Sequence, residues 1–216
     1  MADIRFDRPL TSYQKVRDFI SPIVRGKKWL VRKDRIKGKI LMNVGCGPHS
    51  KEEFINVDWM WHPGIDICWD ITTKTYPIPS NSLEGVYTEH CLEHITFEKC
   101  AENLKEFYRL LKPGGTVRVV VPDGQIYFDL YQAKKTDKSV RLPYDDEEET
   151  PDISINRIFR RHGHLFIYDF ETMKLQLERA GFRDIKKESF RTGRDPRLLL
   201  DLAERKVESL YVEASK

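Results

Sequence analysis

The apolar segment at residues 40–44 (ILMNV) runs without a break into the glycine turn GCG at residues 45–47. Glycine adopts backbone angles that other residues avoid, so a strand ending in such a turn lets a ligand approach the backbone closely. Three more strand-like segments follow at residues 53–60, 64–71 and 82–89, each apolar-rich and closed by turn formers. This order predicts buried parallel strands whose carboxyl ends share one edge of a sheet, where such sheets bind ligands.

After the fourth segment, helical and strand-like patterns alternate. Apolar residues recur at three- and four-residue intervals over residues 97–112, and Thr96 is a suitable N-cap, so we predict a helix that ends at the PGG sequence of residues 113–115. The β-branched run at residues 116–124 is typical of a central strand covered on both faces. A later helix is predicted to end at Gly181. The alternation predicts an α/β fold.

The remaining segments complete the predicted organisation. Residues 1–38 form a basic segment that we expect to be helical, and residues 39–216 form the main domain. Within that domain, the polar stretch at residues 129–163 is too long for an ordinary connection and is interpreted as an insertion or lid. The segments 184–190 and 209–216 are predicted to close the sheet as an antiparallel pair.

The composition is that of a globular chain in water, since 40% of the 216 residues are hydrophobic and 33% are charged. No stretch approaches the ~20 apolar residues of a membrane span, and residues 1–10 lack the apolar core of a signal peptide, so we expect a cytoplasmic protein. The four cysteines form no C-x-x-C pair and are expected to be reduced thiols. Residues 1–39 contain twelve lysines or arginines against four aspartates, which indicates either contact with phosphate-bearing partners or a solvated helix face.

Two acidic residues stand at the ends of predicted strands, beyond the glycine turn. Asp58 ends the second strand, where a carboxylate accepts hydrogen bonds from both hydroxyls of a ribose. Asp70 closes the third strand in the same way and is placed to hold an adenine amino group. Three such features at successive strand ends favour a bound nucleoside far more strongly than any one of them alone.

These segments resemble class I S-adenosylmethionine-dependent methyltransferases, and within that class the small, type 11-like branch that methylates small molecules, lipids and sugars. ILMNVGCG resembles the family's first motif, FINVDW its ribose-binding acid, CWDI its adenine-binding segment and LKPGGTVRVVVPD the region of its fifth strand. The resemblance covers residues 40–123, with a weaker match at residues 164–182. It implies S-adenosylmethionine as cofactor and a single-domain, Rossmann-like methyltransferase fold: a mostly parallel seven-stranded sheet with helices on both faces and an antiparallel C-terminal strand.

The resemblance also implies which residues bind the cofactor. The glycine turn would line the methionine portion, and Asp58 would hold the ribose. Trp59 would cover one face of the adenine, although a core aromatic explains it equally well, and Asp70 with Ile71 would contact the adenine edge. The implied cofactor-binding set is Asn43, Gly45, Cys46, Gly47, Asp58, Trp59, Asp70, Ile71 and Glu89.

Two departures from the family pattern concern this site. Asn43 stands where the family usually carries an acid, so it would hydrogen-bond the cofactor's ammonium group without a charge. The spacing between Gly45 and Asp58 is shorter than the ~20 residues of a full dinucleotide-binding unit. The first crossover helix is therefore expected to be shortened or missing, which leaves the cofactor pocket open on that side.

The segment at residues 90–94 (HCLEH) matches the H-x-x-E-H pattern of the inverted zinc proteases. That chemistry needs both histidines on one face of a helix, whereas the helix here is predicted to begin only at Phe97. We therefore expect no metal and assign Glu93 and His94 a structural role, hydrogen-bonding the fourth strand to the following helix; a zinc hydrolase is the alternative. His90 is a candidate to orient or deprotonate an acceptor hydroxyl.

His162 and His164 lie where the predicted lid returns to the sheet, so either is a further candidate to face the acceptor, with packing of the lid as the default role. A His-x-His pair also binds metals, but no set of carboxylates lies near it in the sequence. The motifs that nucleic-acid methylases carry after the fourth strand are absent, so nucleic acid is not an expected partner.

The predicted activity is methyl transfer by in-line displacement to a hydroxyl, less favourably an amine, of a small molecule. A sugar, a nucleotide-linked sugar or a glycan precursor is the expected acceptor. The alternative from another class of protein is a catalytically inactive, nucleoside-binding regulatory module, which Asn43 and the shortened crossover would suit.

Overall fold

The computed structural model describes residues 12–73, 75–143, 150–160 and 163–216. Its strands are β1 Leu41–Val44, β2 Phe54–Asp58, β3 Ile67–Cys68, β4 Leu83–Glu89, β5 Leu111–Pro122, β6 Arg183–Glu188 and β7 Ser209–Ser215. They form one seven-stranded sheet in the order β3-β2-β1-β4-β5-β7-β6. The first five strands pair in parallel, and β7 lies antiparallel between β5 and β6. The strand order reverses between β1 and β4, which makes the carboxyl ends of these two strands the switch point of the sheet.

The α-helices are α1 Ser12–Val24, α2 Lys33–Ile36, α3 Phe97–Leu110, α4 Gly124–Thr136, α5 Pro151–Arg160 and α6 Phe170–Ala180. The predicted start of α3 is confirmed, because the Thr96 side chain accepts a hydrogen bond from the Lys99 amide. Gly181, with φ of 103°, caps α6 in the left-handed conformation. The connection at residues 45–53 contains only turns, so the first crossover helix is missing. The predicted fold class is confirmed.

Alternating side chains of the strands pack into different hydrophobic clusters. In β1, Met42 and Val44 belong to the largest cluster, which also contains the inward faces of α3 and α6. Leu41 belongs to a second cluster together with Tyr87 of β4 and Leu198 of the C-terminal segment. Because each cluster takes every second residue, a register slip of one residue would move each side chain of the strand into the wrong cluster, so the register and the strand ends are fixed.

A buried ionic cluster holds the segment between β6 and β7 against the sheet. Arg118 of β5 donates two hydrogen bonds to Asp201, at 2.8 and 2.5 Å, and one to Glu213 of β7 at 2.9 Å. The same guanidinium also donates to the backbone oxygens of Ser189 and Thr192. All three charged side chains are inaccessible to solvent or nearly so, and the cluster positions residues 200–205 beside the switch point.

The N-terminal segment is built into the edge of the sheet. The Gly26 amide, just after α1, donates to the carbonyl of Cys68 at 3.0 Å. Ser21 of α1 accepts a hydrogen bond from the Trp61 amide at 2.9 Å. The described part of the predicted segment 1–38 therefore lies against β3 and the chain that follows β2. None of the helices in the described ranges is long and apolar enough to cross a bilayer.

The predicted insertion at 129–163 begins within a helix, because residues 129–136 form the second half of α4. Tyr127 of α4 shares a small hydrophobic cluster with Ile155 and Ile158 of α5, so the two helices pack together. Residues 144–149 and 161–162 of the predicted lid lie outside the described residues, and a lid function stays a prediction.

Candidate active site

The glycine turn lies at the carboxyl end of β1, as predicted. Gly45 has φ of +69° and Gly47 has φ of +49°, both in the left-handed region that favours glycine. The Gly45 amide donates to the carbonyl of Val57 at 2.9 Å, which closes the turn onto β2. A Cβ at Gly45 would collide with the side chain of Cys91, whereas a Cβ at Gly47 would meet open space. The turn therefore needs glycine at Gly45 for two independent reasons.

Asp58 connects the end of β2 to the glycine turn. Its Oδ2 accepts a hydrogen bond from the Gly47 amide at 2.8 Å, and its Oδ1 accepts one from the Met60 amide at 2.7 Å. Gly45 and Asp58 line one cavity of about 440 Å³, and Trp59 and Ile71 form other parts of its wall. The features predicted from the glycine turn and the acid at the second strand end thus face the same space.

Trp59 is 45% exposed and is not a core aromatic. The Arg25 guanidinium lies 3.5 Å from the centroid of its ring, and Arg25 Nε donates to the Trp59 carbonyl at 2.9 Å. Arg25 thus covers one ring face by a cation–π contact. No local sequence signal marks Arg25, because its contact with Trp59 joins two segments that are far apart in the chain.

Asp70 belongs to the predicted cofactor-binding set but does not line this cavity. Its Oδ1 accepts hydrogen bonds from the amide of Thr72 at 2.9 Å and from the Thr72 hydroxyl at 2.6 Å. Burial raises the pKa of Asp70, but the hydrogen bonds from Thr72 and Thr73 and the charge of Arg25 outweigh it and leave the pKa lowered. Asp70 thus organises the turn that presents Ile71 and Thr72 to the cavity.

A second cavity, of about 200 Å³, adjoins the first at Gly45 and His90. Asn43, Cys46, Gly47 and Glu89 from the predicted set line it, together with Tyr87, Leu200, Leu202 and Arg205. The Leu202 amide donates to Glu89 Oε1 at 3.1 Å. Burial raises the pKa of Glu89, although hydrogen bonds from Leu202 and Tyr87 oppose the shift. A carboxylate and a guanidinium thus stand in the same small cavity, which suits an amino-acid moiety.

The segment that contains the H-x-x-E-H pattern does not form the helix that zinc proteases require. His90 has φ of +48°, and residues Leu92–His94 form a single 3₁₀ turn. A non-glycine residue in the left-handed region is uncommon and is held there by its surroundings. Here the His90 amide donates to the carbonyl of Val120 at 2.8 Å, which fixes the residue between β4 and β5.

His90 lies where three cavities meet, because it lines the two described above and a third of about 410 Å³. Its Nε2 lies 2.8 Å from the hydroxyl of Ser209. The Ser209 hydroxyl donates its proton to the carbonyl of Arg205 at 2.8 Å, so it accepts from His90. Nε2 of His90 therefore carries a proton, and Nδ1, which lies 3.6 Å from Glu93 Oε1, is the basic nitrogen of the neutral ring.

The third cavity is lined by polar and charged side chains. These include Glu93, His94, His164, Tyr127, Glu204, Arg205 and Glu208. Glu93 is completely buried, and neither of its carboxylate oxygens has a hydrogen-bond partner within the described ranges. The Glu93 carboxylate therefore does not make the predicted hydrogen bond between strand and helix, whereas the Glu93 carbonyl accepts hydrogen bonds from the amides of Leu165 and Phe166.

The environment of Glu93 also changes its protonation. Burial raises the pKa of Glu93 to about 8, and the negative charges of Glu208 and Glu89 contribute to the increase. A hydrogen bond from its own backbone and the positive charge of Arg205 act in the opposite direction. His164, a predicted candidate to face the acceptor, lines this cavity. The centroid of its ring lies 5.0 Å from that of the His94 ring. His162 lies outside the described residues.

The arrangement of the first two cavities fits S-adenosylmethionine. Gly45 leaves room for the side chain of Cys91, the space beside Gly47 is open, and Asp58 lines the larger cavity next to this turn. An open α/β sheet with strand order 3-2-1-4-5-7-6 and a cavity at its switch point is typical of nucleoside-binding α/β proteins.

The comparisons with known proteins agree with this class. Residues 29–187 match the family described as methyltransferase domain, and the chain belongs to that family. It is an S-adenosylmethionine-dependent methyltransferase. That membership replaces both alternatives considered from the sequence, the zinc hydrolase and the inactive regulatory module. No curated protein matches the sequence significantly.

Solved structures support the fold. An S-adenosylmethionine-dependent methyltransferase from Mesorhizobium loti is similar with a TM-score of 0.52 and 16% identity, over 88% of this chain and 99% of that chain. A methyltransferase from Thermotoga maritima, described as a possible histamine N-methyltransferase, has a TM-score of 0.50 and 14% identity, over 94% of this chain and 95% of that chain. At these identities the similarity concerns the fold.

Proposed function

We propose that this methyltransferase modifies a hydroxyl group of a polar small molecule, with a sugar or glycan precursor as the acceptor class. The observation that carries the proposal is the meeting of three cavities at His90. Two of them are lined by the residues assigned to the cofactor, so the third is the acceptor site. Its polar lining offers many hydrogen-bond partners, as a polyhydroxylated acceptor requires.

The residues of the first two cavities divide the cofactor between them. We assign the larger cavity to the adenosyl group, with the ribose on Asp58 and the adenine beside Trp59 and Ile71. We assign the smaller cavity to the methionine moiety, whose ammonium suits Glu89 and whose carboxylate suits Arg205. S-adenosylmethionine would supply an electrophilic methyl carbon, since the new bond to the acceptor oxygen would form as the bond to the sulfonium sulfur breaks and the neutral thioether leaves.

The protein's main task is then to orient the acceptor, with little covalent chemistry of its own. His90 is the candidate general base, because its Nε2 proton is held by Ser209 and its Nδ1 can take the proton that the acceptor hydroxyl loses. The left-handed backbone at His90 fixes the ring at the junction of the cavities.

An amine acceptor is the second candidate. Among the described residues that line the third cavity, Glu204 and Glu208 contribute two carboxylates against the guanidinium of Arg205, which favours a cationic group over a phosphate. A nucleotide-linked sugar is for the same reason a weaker candidate than an uncharged sugar.

Titration calorimetry with S-adenosylmethionine and S-adenosylhomocysteine tests the cofactor site. We expect Asp58→Ala to weaken binding by about 100-fold or more, because two hydrogen bonds to a charged group are worth ~3 kcal/mol together. Asp58→Asn keeps one acceptor oxygen, so its affinity for the cofactor should lie between those of the wild type and Asp58→Ala. Asp129→Ala, an exposed acid on α4, is the matched control and should bind like the wild type. Equal affinity in all four proteins contradicts the assignment of Asp58.

Transfer of a labelled methyl group to paired acceptors tests the substrate. The panel compares each sugar with its amino-sugar and nucleotide-linked counterparts. We expect transfer to the neutral hydroxyl compounds and a turnover in His90→Ala reduced by about 10²-fold or more, well beyond any change in its affinity for the cofactor. Transfer confined to the amino compounds would instead establish the second candidate.

A further inference from the structure

The third cavity contains a compact group of potential metal ligands. One donor atom each from Glu93, His94 and His164 lie within 4.8 Å of one another. His94 Nε2 is 3.7 Å from Glu93 Oε1. The donor atoms of a tetrahedral zinc ion, bound at ~2.1 Å, lie about 3.4 Å apart. Small side-chain rotations are therefore enough to bring the three donors around one ion.

Backbone contacts bring these residues together from distant parts of the chain. The carbonyl of Glu93 accepts hydrogen bonds from the amides of Leu165 at 2.7 Å and Phe166 at 3.2 Å. The ring of Phe166 also packs 5.0 Å from that of Phe97, at the start of α3. The residue before Leu165 is thereby held against the turn that carries Glu93.

The Glu93 carboxylate provides an independent indication of a ligand. It is fully inaccessible to solvent, and both of its oxygens lack a hydrogen-bond partner within the described part of the chain. A buried carboxylate in that state is costly, and such groups are usually paired or coordinate a metal. The side chain lines the third cavity together with both histidines.

The hydrogen bond of His164 prepares it as a ligand. Its Nδ1 lies 3.0 Å from the carbonyl oxygen of Ile158. A carbonyl only accepts, so Nδ1 carries the proton and Nε2 carries the lone pair of the neutral imidazole. Metal-binding histidines almost always donate their second ring nitrogen to a carbonyl or carboxylate in this way, which fixes the ring and its tautomer.

We propose that Glu93, His94 and His164 bind a divalent transition-metal ion, with Zn²⁺ as the reference ion. Two imidazole nitrogens and one carboxylate oxygen suit Zn²⁺ and its transition-metal neighbours, whereas Mg²⁺ and Ca²⁺ prefer oxygen ligands alone. Three protein ligands leave a coordination position open, as in catalytic rather than structural zinc sites.

The open position would face the acceptor cavity, beside His90. An acceptor hydroxyl bound to the ion would lose its proton more readily, because a divalent ion stabilises the alkoxide. This role rests on the proposed function, since it assumes that the third cavity holds the acceptor. The binding of the ion does not, because it depends only on the three ligands.

Metal binding is measured directly on the full chain, free of any affinity tag and stripped with a chelator. Titration calorimetry with Zn²⁺ should give one ion per chain, and Co²⁺ should produce visible absorption bands of a site with nitrogen ligands. Glu93→Gln and His164→Gln should each weaken Zn²⁺ binding by more than about 100-fold. A loss of that size exceeds the effect of removing a residue that only hydrogen-bonds a metal ligand. His49→Gln, an exposed histidine outside the group, should bind Zn²⁺ like the wild type.

The outcomes separate this proposal from the proposed function. The metal site is overturned if the wild-type protein binds neither Zn²⁺ nor Co²⁺. It is also overturned if the affinity of the wild type for these ions equals that of Glu93→Gln and His164→Gln. Thermal unfolding by circular dichroism identifies a variant that fails to fold, and His164→Gln, at a partly exposed position, is the gentler of the two. If the protein binds Zn²⁺ but transfers no methyl group to hydroxyl compounds, the metal site stands and the proposed role of the ion is refuted. If Glu93→Gln binds S-adenosylmethionine with unaltered affinity, the cofactor site is independent of the metal site.

Discussion

The two glycines of the turn after β1 offer a matched pair of substitutions, Gly45→Ala and Gly47→Ala. Both residues have positive φ, at +69° and +49°. A Cβ at Gly45 would meet the Sγ and Cβ atoms of Cys91 at distances that real contacts do not reach, whereas a Cβ at Gly47 has no atom within 4 Å. The pair therefore shares the backbone strain and differs in the collision.

The expected magnitudes follow from these two effects. An alanine in the left-handed region costs ~1–2 kcal/mol, and this applies to both variants. Gly45→Ala adds an overpacking cost of ~1–3 kcal/mol, because Cys91 begins the turn that carries Glu93 and has little freedom to move. The gain from restricting the unfolded chain, ~0.4–1 kcal/mol, is the same in both and cancels. The free energy of unfolding should thus be lower in Gly45→Ala than in Gly47→Ala by ~1–3 kcal/mol.

Urea unfolding followed by circular dichroism measures this difference, provided that the slope with denaturant stays constant. The double variant Gly45→Ala/Cys91→Gly removes the colliding atoms and should recover part of the lost stability, which a double-mutant cycle expresses as a coupling free energy. Gly45→Ala and Gly47→Ala variants that agree within about 0.5 kcal/mol, or a cycle without coupling, would refute the steric argument.

Three further predictions concern buried groups. Arg118→Met leaves Asp201 and Glu213 buried without their cation and should lower the free energy of unfolding by ~3–5 kcal/mol. The control Arg197→Met, in which the ion partners are more exposed, should lower it by at most ~1 kcal/mol. Similar melting temperatures in the two variants would contradict this prediction. Because burial raises the pKa of Glu89, the folded state holds that proton more tightly than the unfolded state, so its contribution to stability is greatest below the ordinary value of 4.5 and falls as pH rises through the raised value. Glu89→Gln should accordingly flatten the dependence of the urea midpoint on pH above 4.5, and a slope equal to that of the wild type would refute the assignment. Burial also raises the pKa of the Cys46, Cys91 and Cys100 thiols. Ellman's reagent at pH 8 should therefore modify these thiols at least ~10-fold more slowly in the folded chain than in guanidinium. Equal rates in the two states would refute the burial of these thiols.

The fold was predictable because its signals are local. The order of apolar segments, the N-cap at Thr96 and the C-cap at Gly181 all depend on neighbouring residues, and each was found where it was expected. The missing first crossover helix was likewise readable from the short spacing between Gly45 and Asp58.

The candidate site was predictable only in part. Strand ends place Gly45 and Asp58 on one cavity, because parallel strands end at the same edge of the sheet. The role of Asp70 in the turn of Thr72 and the stacking of Arg25 on Trp59 depend on side-chain contacts that residue spacing does not encode.

By itself, the sequence determined the family, the succession of strands and helices along the chain, and the edge of the sheet at which the cofactor is expected to bind. Those properties follow from periodicity, turn residues and short motifs, which act over a few residues. Only the tertiary structure decided that Glu93 is buried without a hydrogen bond and that His164 stands beside His94. The reason is that the hydrogen bonds from Leu165 and Phe166 to the Glu93 carbonyl join segments about seventy residues apart, and such long-range contacts exist only once the chain has folded.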